Sequence, residues 1–284
     1  MSEIGIVINL DTRAGYLSDA EKHSAGGKNG TGVVSADYFI DGVKNKVDFF
    51  RGYDTEVTVY IDLHEMLTGD LLVRMNDLIR QGVIDNLYIN RHNESFGDME
   101  YYPKWLCLSI LNPIICTRSK YIVHFDCDTM AFRRDDCTII DDIKGWLDSG
   151  KYDFVSYPSR WSPHADCDSG WDYNWASTRF FFGRRDFFDY EEIKKCLESS
   201  EYLYKKYGDK YRRCPWLEHV LGIMTGSKDK VYYLPHNFNL YTIFCWIGYK
   251  KGLIKQLNDM SFDNVIKYVA HCGGIGYPCD VRPK

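Results

Sequence analysis

The chain has 284 residues, 45% of them apolar and 26% charged, an ordinary globular composition. Its formal net charge is -5, and Arg184-Arg185 and Arg212-Arg213 are isolated pairs rather than a basic face, so no nucleic-acid partner is expected. No run reaches the roughly 20 apolar residues of a membrane helix, and the best, Leu240 to Tyr249, carries Thr242 and Gly248.

The start runs straight into Ile4-Gly5-Ile6-Val7-Ile8 with no basic leader or cleavage site, which predicts a soluble, cytoplasmic protein. The ten cysteines show no paired CxxC spacing and read as reduced thiols. Aromatic residues are plentiful, with 22 Tyr, and their flat apolar faces and polar edges suit sugar rings or bases.

Short β-rich runs alternate with helical patterns, which predicts an α/β fold. Ile4 to Asn9 is a buried-strand run. Ala14 to Val34, with five glycines, has no period and reads as a long loop. Tyr38 to Phe50 carries a helical apolar stripe, and Glu56 to Asp62 alternates as a second strand. Leu67 to Gln81 fits a helix closed by Gly82. Asn86 to Asn90 is a third strand, and Tyr102 to Cys116 a helix.

Tyr121 to Phe125 is the fourth strand. Asp153 to Tyr157 and Thr178 to Phe182 follow as strands, with a Trp-, Asp- and Ser-rich loop between them over Ser159 to Ser177. Asp186 to Tyr207 reads as one long charged helix. Pro215 opens another, to about Thr225. Val231 to Leu234 is a strand, and Ser261 caps a short helix to Tyr268.

Chemistry concentrates at the end of the fourth strand, Tyr121-Ile-Val-His-Phe-Asp126-Cys127-Asp128. Residues i and i+2 of extended backbone share a side, so Asp126 and Asp128 can face one ion. Ligands of open α/β sheets bind beyond the carboxyl ends of the strands. Two hard oxygen donors with open positions suit Mg2+ or Mn2+. Such an ion neutralises a departing diphosphate as a Lewis acid. An EF-hand loop needs an oxygen ligand and a glycine where Met130 and Ala131 stand. An aspartyl phosphatase of the haloacid dehalogenase type has Thr or Val at the place of Met130, and its acidic motif follows the first strand. Near the C-terminus, His271 precedes Gly273, Gly274 and Gly276. An imidazole on a glycine-rich turn is a candidate third ligand; the plainer alternative is a hydrogen-bonded structural histidine.

The order of strand, loop, strand, acidic motif, aromatic segment, acidic helix and C-terminal His resembles the GT-A glycosyltransferase fold over most of the chain. Two retaining families are similar. One is the glycogenin and lipopolysaccharide galactosyltransferase family, which ends in HxxGxxKPW. His271, Gly274 and Pro278 match it, whereas Tyr277 replaces its diphosphate-contacting Lys and Cys279 its Trp. Leu234-Pro-His-Asn-Phe-Asn239 resembles the segment before that motif. The other is the blood-group ABO and α-1,3-galactosyltransferase family. Thr178-Arg-Phe-Phe-Phe-Gly183 and Pro215-Trp216-Leu217-Glu218-His219 resemble two of its elements, with Leu217 where an Asp would stand.

The resemblance implies a single, Rossmann-like GT-A domain over 1–284, with a mixed central sheet flanked by helices. Donor binding falls to about 1–130 and acceptor binding to about 131–284. It implies transfer of a hexose from a UDP-sugar to a glycan or other hydroxyl acceptor, with retention. Asp126, Asp128 and His271 would hold Mn2+ or Mg2+. Leu10, Thr12, Arg13, Asp62, Lys104, Asp126 and Gly274 are donor-binding candidates, and Trp171, Trp175 and Arg179 acceptor-binding ones. Glu218 occupies the place of the family's nucleophile. Open alternatives are an inverting transferase with Glu218 as general base, a dehalogenase-type phosphatase, and a sugar-nucleotide-binding protein without catalysis. The plainer reading of Glu218 is an acid complementing the dipole of a helix first turn.

Overall fold

The computed structural model describes residues 2–11, 36–63, 68–91, 104–126, 129–156, 180–207, 217–225, 230–233, 242–246, 258–261 and 263–265. Its strands in chain order are β1 (Ile4–Asp11), β2 (Thr55–Leu63), β3 (Asn86–Arg91), β4 (Tyr121–Asp126), β5 (Thr129–Arg133), β6 (Phe154–Ser156), β7 (Phe180–Arg184), β8 (Val231–Tyr233) and β9 (Thr242–Trp246). The helices are α1 (Ala36–Phe49), α2 (Thr68–Arg80), α3 (Lys104–Cys116), α4 (Ile139–Asp148), α5 (Tyr190–Glu198), α6 (Ser200–Tyr207) and α7 (Leu217–Met224).

Seven strands form one sheet in the order β3-β2-β1-β4-β7-β6-β8, and β5 and β9 form a separate ribbon. β1 pairs in parallel with β2 and β4, and β2 with β3. β7 is antiparallel to both β4 and β6, while β6 and β8 are parallel. β7 therefore runs against the other six strands, and the sheet is mixed.

The period of two along each strand splits the core into two layers. Ile4, Ile6, Ile8 and Leu10 of β1, with Tyr121, Val123 and Phe125 of β4, pack against α1, α2 and α4. Val7 and Ile122 face the other way, with Phe154 and Phe181, against α3, α5, α6 and α7. The central strands are apolar on both faces because both are covered. Gly5 sits where α3 hands over to β4. A Cβ built there would lie 2.1 Å from Thr117 Cγ2. Thr117 cannot retreat: it is fully buried and its hydroxyl donates to the Pro113 carbonyl at 2.9 Å. Gly5→Ala is expected to destabilise the fold by about 3 kcal/mol or more, seen as a lowered urea midpoint.

The expected elements that fall on described residues recur with shifts of a few residues at their ends, apart from one helix; the loops expected over Ala14 to Val34 and Ser159 to Ser177, and part of the helix expected from Ser261 to Tyr268, lie outside the described residues. The single helix expected over Asp186 to Tyr207 is instead a 3-10 turn (Arg185–Phe187), α5 and α6. Caps explain the breaks. Asp189 accepts from the Glu192 N–H at 3.0 Å and starts α5, while Ser199 Oγ accepts from the Tyr202 N–H at 3.1 Å and starts α6.

Glu192 then staples the two helices. Its carboxylate accepts from the Tyr202 and Tyr207 hydroxyls, each at 3.0 Å, and pairs with Lys206 at 2.8 Å. Burial alone would raise the Glu192 carboxyl, but the hydrogen bonds from Lys206, Tyr207 and Tyr202 outweigh it and hold it below the ordinary 4.5. A lowered folded pKa stabilises above the unfolded value, and that contribution is lost as pH falls through the folded one. Glu192→Gln is expected to cost about 1–2 kcal/mol at neutral pH. It should also flatten the acid side of the stability curve, measured by urea unfolding from neutral to strongly acidic pH.

Candidate active site at the carboxyl edge of the sheet

The carboxyl ends of β1, β2, β3 and β4 lie along one edge. The register places Asn9 opposite both Tyr60 and Asp126, and Asp11 opposite Asp62, itself opposite Asn90. Polar residues thus end four adjacent apolar strands. Asn9 and Tyr60 are buried, and Asp126 is half-buried at the last position of β4. Asp126 continues the alternation of Ile122 and His124, so it belongs to the face that α3, α5, α6 and α7 cover. His124 stacks on Phe181 at 5.0 Å, which seals the layer beneath Asp126.

β5 begins directly after Asp128. The Thr129 hydroxyl is buried there and has no hydrogen-bond partner among the described residues. A carboxylate at a strand end, a buried amide opposite it and a buried hydroxyl three residues further along the chain make an oxygen-rich setting. That chemistry fits a hard divalent ion. Among the described residues no three His, Cys, Asp or Glu side chains converge on one point, and of the predicted ligand set Asp126, Asp128 and His271 only Asp126 is described.

The other predicted residues fall as follows. Leu10 is 1% exposed in the first core, so any donor contact from it falls to its backbone. Asp62 holds the penultimate position of β2, and Lys104 is the first residue of α3. Glu218 is the second residue of α7, whose Leu217 and Val220 are buried with Ile122 and Phe181. α7 therefore lies on the same side of the sheet as Asp126. Arg179 immediately precedes β7, whose Phe180 pairs with Phe125 beside Asp126. Thr12, Arg13, Asp128, Trp171, Trp175, Arg179, His271 and Gly274 lie outside the described residues. Tyr60 was missed; its signal was the strand period, which puts it level with Asn9.

Two cavities elsewhere do not match this chemistry. One of about 780 Å³ lies at the opposite, amino edge, lined by Arg118, Lys120, Asp148 and Arg184 among others. Two pairs of charges meet there, Arg184 with Asp186 and Lys120 with Asp148 at 2.8 Å, the latter a contact that pushes the Lys120 ammonium up to about 12 and Asp148 down. The other, about 970 Å³, lies between α1, β5 and residues 258–263. Arg51 there pairs with Asp48 and Asp135, and Arg134 with Asp136. Neither sits where parallel strands present their carboxyl ends.

No family model matches the chain, and no curated protein matches it in sequence. Solved structures do. A protein from Bacillus anthracis assigned as a glucose-1-phosphate thymidylyltransferase, solved with sucrose, gives a TM-score of 0.50 at 11% identity, over 91% of this chain and 97% of its own. The galactosyltransferase LgtC, solved with donor and acceptor sugar analogues, gives 0.48 at 12% identity, over 81% and 72%. The mannosyltransferase PcManGT of Pyrobaculum calidifontis, solved with GDP-mannose and Mn2+, gives 0.44 at 10% identity, over 96% of this chain. The chain spans 63% of that enzyme's length. The mixed sheet, with helices on both faces and one reversed strand, is the GT-A, Rossmann-like fold. No helix among the described residues is long and apolar enough to cross a membrane.

Proposed function

We propose that the chain is a metal-dependent glycosyltransferase that moves a hexose from a nucleotide-sugar donor, a UDP-sugar, to a glycan or other hydroxyl acceptor with retention. The observation that carries this reading is Asp126 at the carboxyl end of β4, opposite Asn9, in a GT-A sheet. The Asp126-Cys127-Asp128 motif and the C-terminal His271 add the remaining ligands of a Mn2+ or Mg2+ site. Bound there, the ion supplies Lewis-acid neutralisation of the leaving diphosphate.

The protein's own groups do the rest. Residues at the ends of β1 and β2, with Thr12, Arg13 and Asp62, hold the nucleotide. Lys104 and the backbone at Gly274 approach the diphosphate. Glu218 sits on the sugar side and stabilises the oxocarbenium-like transition state, or attacks it, which gives retention. Trp171, Trp175 and Arg179 receive the acceptor. The division into a donor part over about 1–130 and an acceptor part over about 131–284 belongs to the same proposal.

Incubation with a panel of nucleotide sugars and Mn2+ tests the reading through release of nucleoside diphosphate. Slow, EDTA-sensitive release from one donor is expected. The fold also occurs in a protein assigned to nucleotidyl transfer, so a second arm supplies a nucleoside triphosphate and a sugar 1-phosphate. Pyrophosphate release in that arm alone would replace glycosyl transfer with nucleotidyl transfer.

A further inference from the structure

We infer that the outer edge of β3 is a surface for a second copy of this chain. The two copies pair their β3 strands in antiparallel register, about a two-fold axis at Tyr88. β3 ends the seven-stranded sheet, and no described strand pairs with its outer side. Val73, Tyr88, Ile89 and Ile115 are the large apolar side chains exposed among the described residues. All four lie on β3 or on the helices before and after it, α2 and α3. Those helices cover opposite faces of the sheet.

Sheet edges are normally blunted by short strands, proline, lysine or a bulge, because an open edge is a template for another chain. The far edge follows that rule, since β8 has three residues. β3 does not. Asn86-Leu87-Tyr88-Ile89-Asn90-Arg91 holds no proline or lysine, and it pairs with β2 without a bulge, from Asn86 opposite Thr58 to Arg91 opposite Leu63.

The backbone dictates which groups the edge offers. Val57 turns both of its groups toward β3: its N–H donates to Asp85 Oδ2 at 2.7 Å, and its carbonyl accepts from the Asp85 N–H at 2.9 Å. Alternate residues of a strand point the same way, so Val59 and Ile61 also face β3, where Asn86, Tyr88 and Asn90 meet them. Leu87 and Ile89 therefore present their N–H and C=O groups outward. An antiparallel partner takes such groups in residue pairs that exchange both bonds. Setting Leu87 opposite the partner's Ile89 satisfies this on both sides of the axis.

The same register matches side chains. Leu87 and Ile89 are apolar on one face, Tyr88 falls opposite its own copy on the other, and Asn86 falls opposite Asn90. Position 85, an aspartate, falls opposite position 91, an arginine, so opposite charges stand at both ends of the paired segment. Sliding by two residues sets Tyr88 against Asn86 or Asn90 and loses the charge match, and sliding by one turns apolar side chains onto the wrong face. A strand that is its own complement calls for a second copy rather than an unrelated chain. Asp126 is three strands away on β4, and antiparallel pairing points the two carboxyl edges to opposite ends of the joined sheet.

Sedimentation equilibrium of the full chain tests this. The wild type is expected to form a dimer with a Kd on the order of 10 µM, as for a small interface. Tyr88→Lys and Tyr88→Glu each set like charges directly opposite at the axis, and each is expected to raise that Kd about tenfold or more. Tyr88 is exposed, so both variants should keep the wild-type urea midpoint. An equimolar mixture of the two should dimerise about as tightly as wild type, because Lys then opposes Glu. A wild type that is monomeric at about 100 µM overturns the inference and leaves the edge to a strand of another polypeptide. A dimer that persists in both variants overturns β3 as the contact. A mixture that stays monomeric overturns the register centred on Tyr88.

Discussion

Asp126→Asn should lower metal-dependent release of nucleoside diphosphate about 1,000-fold, measured at saturating donor and Mn2+. The change preserves shape and removes charge. An ion stabilising the leaving diphosphate supplies several kcal/mol, and about 4 kcal/mol corresponds to that factor. The fold should survive. Asp126 is half-buried at the last position of β4, so the register with Asn9 does not depend on its carboxylate. The urea midpoint is therefore expected to stay within about 0.5 kcal/mol of wild type, as for changes that leave core and caps intact. Asp128→Ala should behave alike in activity. Retention of more than a tenth of wild-type turnover by both variants would remove the acidic motif from the chemistry.

Glu218→Gln should separate binding from chemistry. The side chain is assigned to the developing positive charge of the sugar, which exists only in the transition state. A loss of about 100-fold or more in kcat is expected, with donor KM and Mn2+ affinity nearly unchanged. Leu217 and Val220, both buried, seat the helix, so the change should not move it. NMR of the product anomer completes the test: retention fits a carboxylate on the sugar side, whereas inversion would recast Glu218 as general base. An unchanged kcat would return Glu218 to an acid that complements a helix terminus.

The parallel half of the fold was legible because its strands are short apolar runs between clear punctuation. Ile4 to Asn9, Glu56 to Asp62 and Tyr121 to Phe125 each reappear as a strand, and Gly82 closes α2 at φ 69. The ribbon of β5 and β9 was not. Thr129 to Arg133 has no alternation of its own and becomes a strand only by pairing with Thr242 to Trp246, far along the chain. The helix α4 was overlooked although its signal is local: Ile139, Ile140, Ile143 and Leu147 form one buried stripe. The single helix expected over Asp186 to Tyr207 breaks in two because Asp189 and Ser199 each cap a helix start, a signal that lies in single residues rather than in the charge pattern. At the site, Asp126 was legible from its strand. Its company was not, since the pairing of Asn9 with Asp126 and of Asp11 with Asp62 is a matter of register between strands.

The most direct measurement is a crystal structure of the chain with UDP and Mn2+, with the metal located by its anomalous scattering. Density for one Mn2+ is expected against the carboxylates of Asp126 and Asp128, bridging to the diphosphate beyond the carboxyl ends of β1 and β4. A nucleotide bound elsewhere, or Mn2+ placed away from both carboxylates, would contradict the assignment.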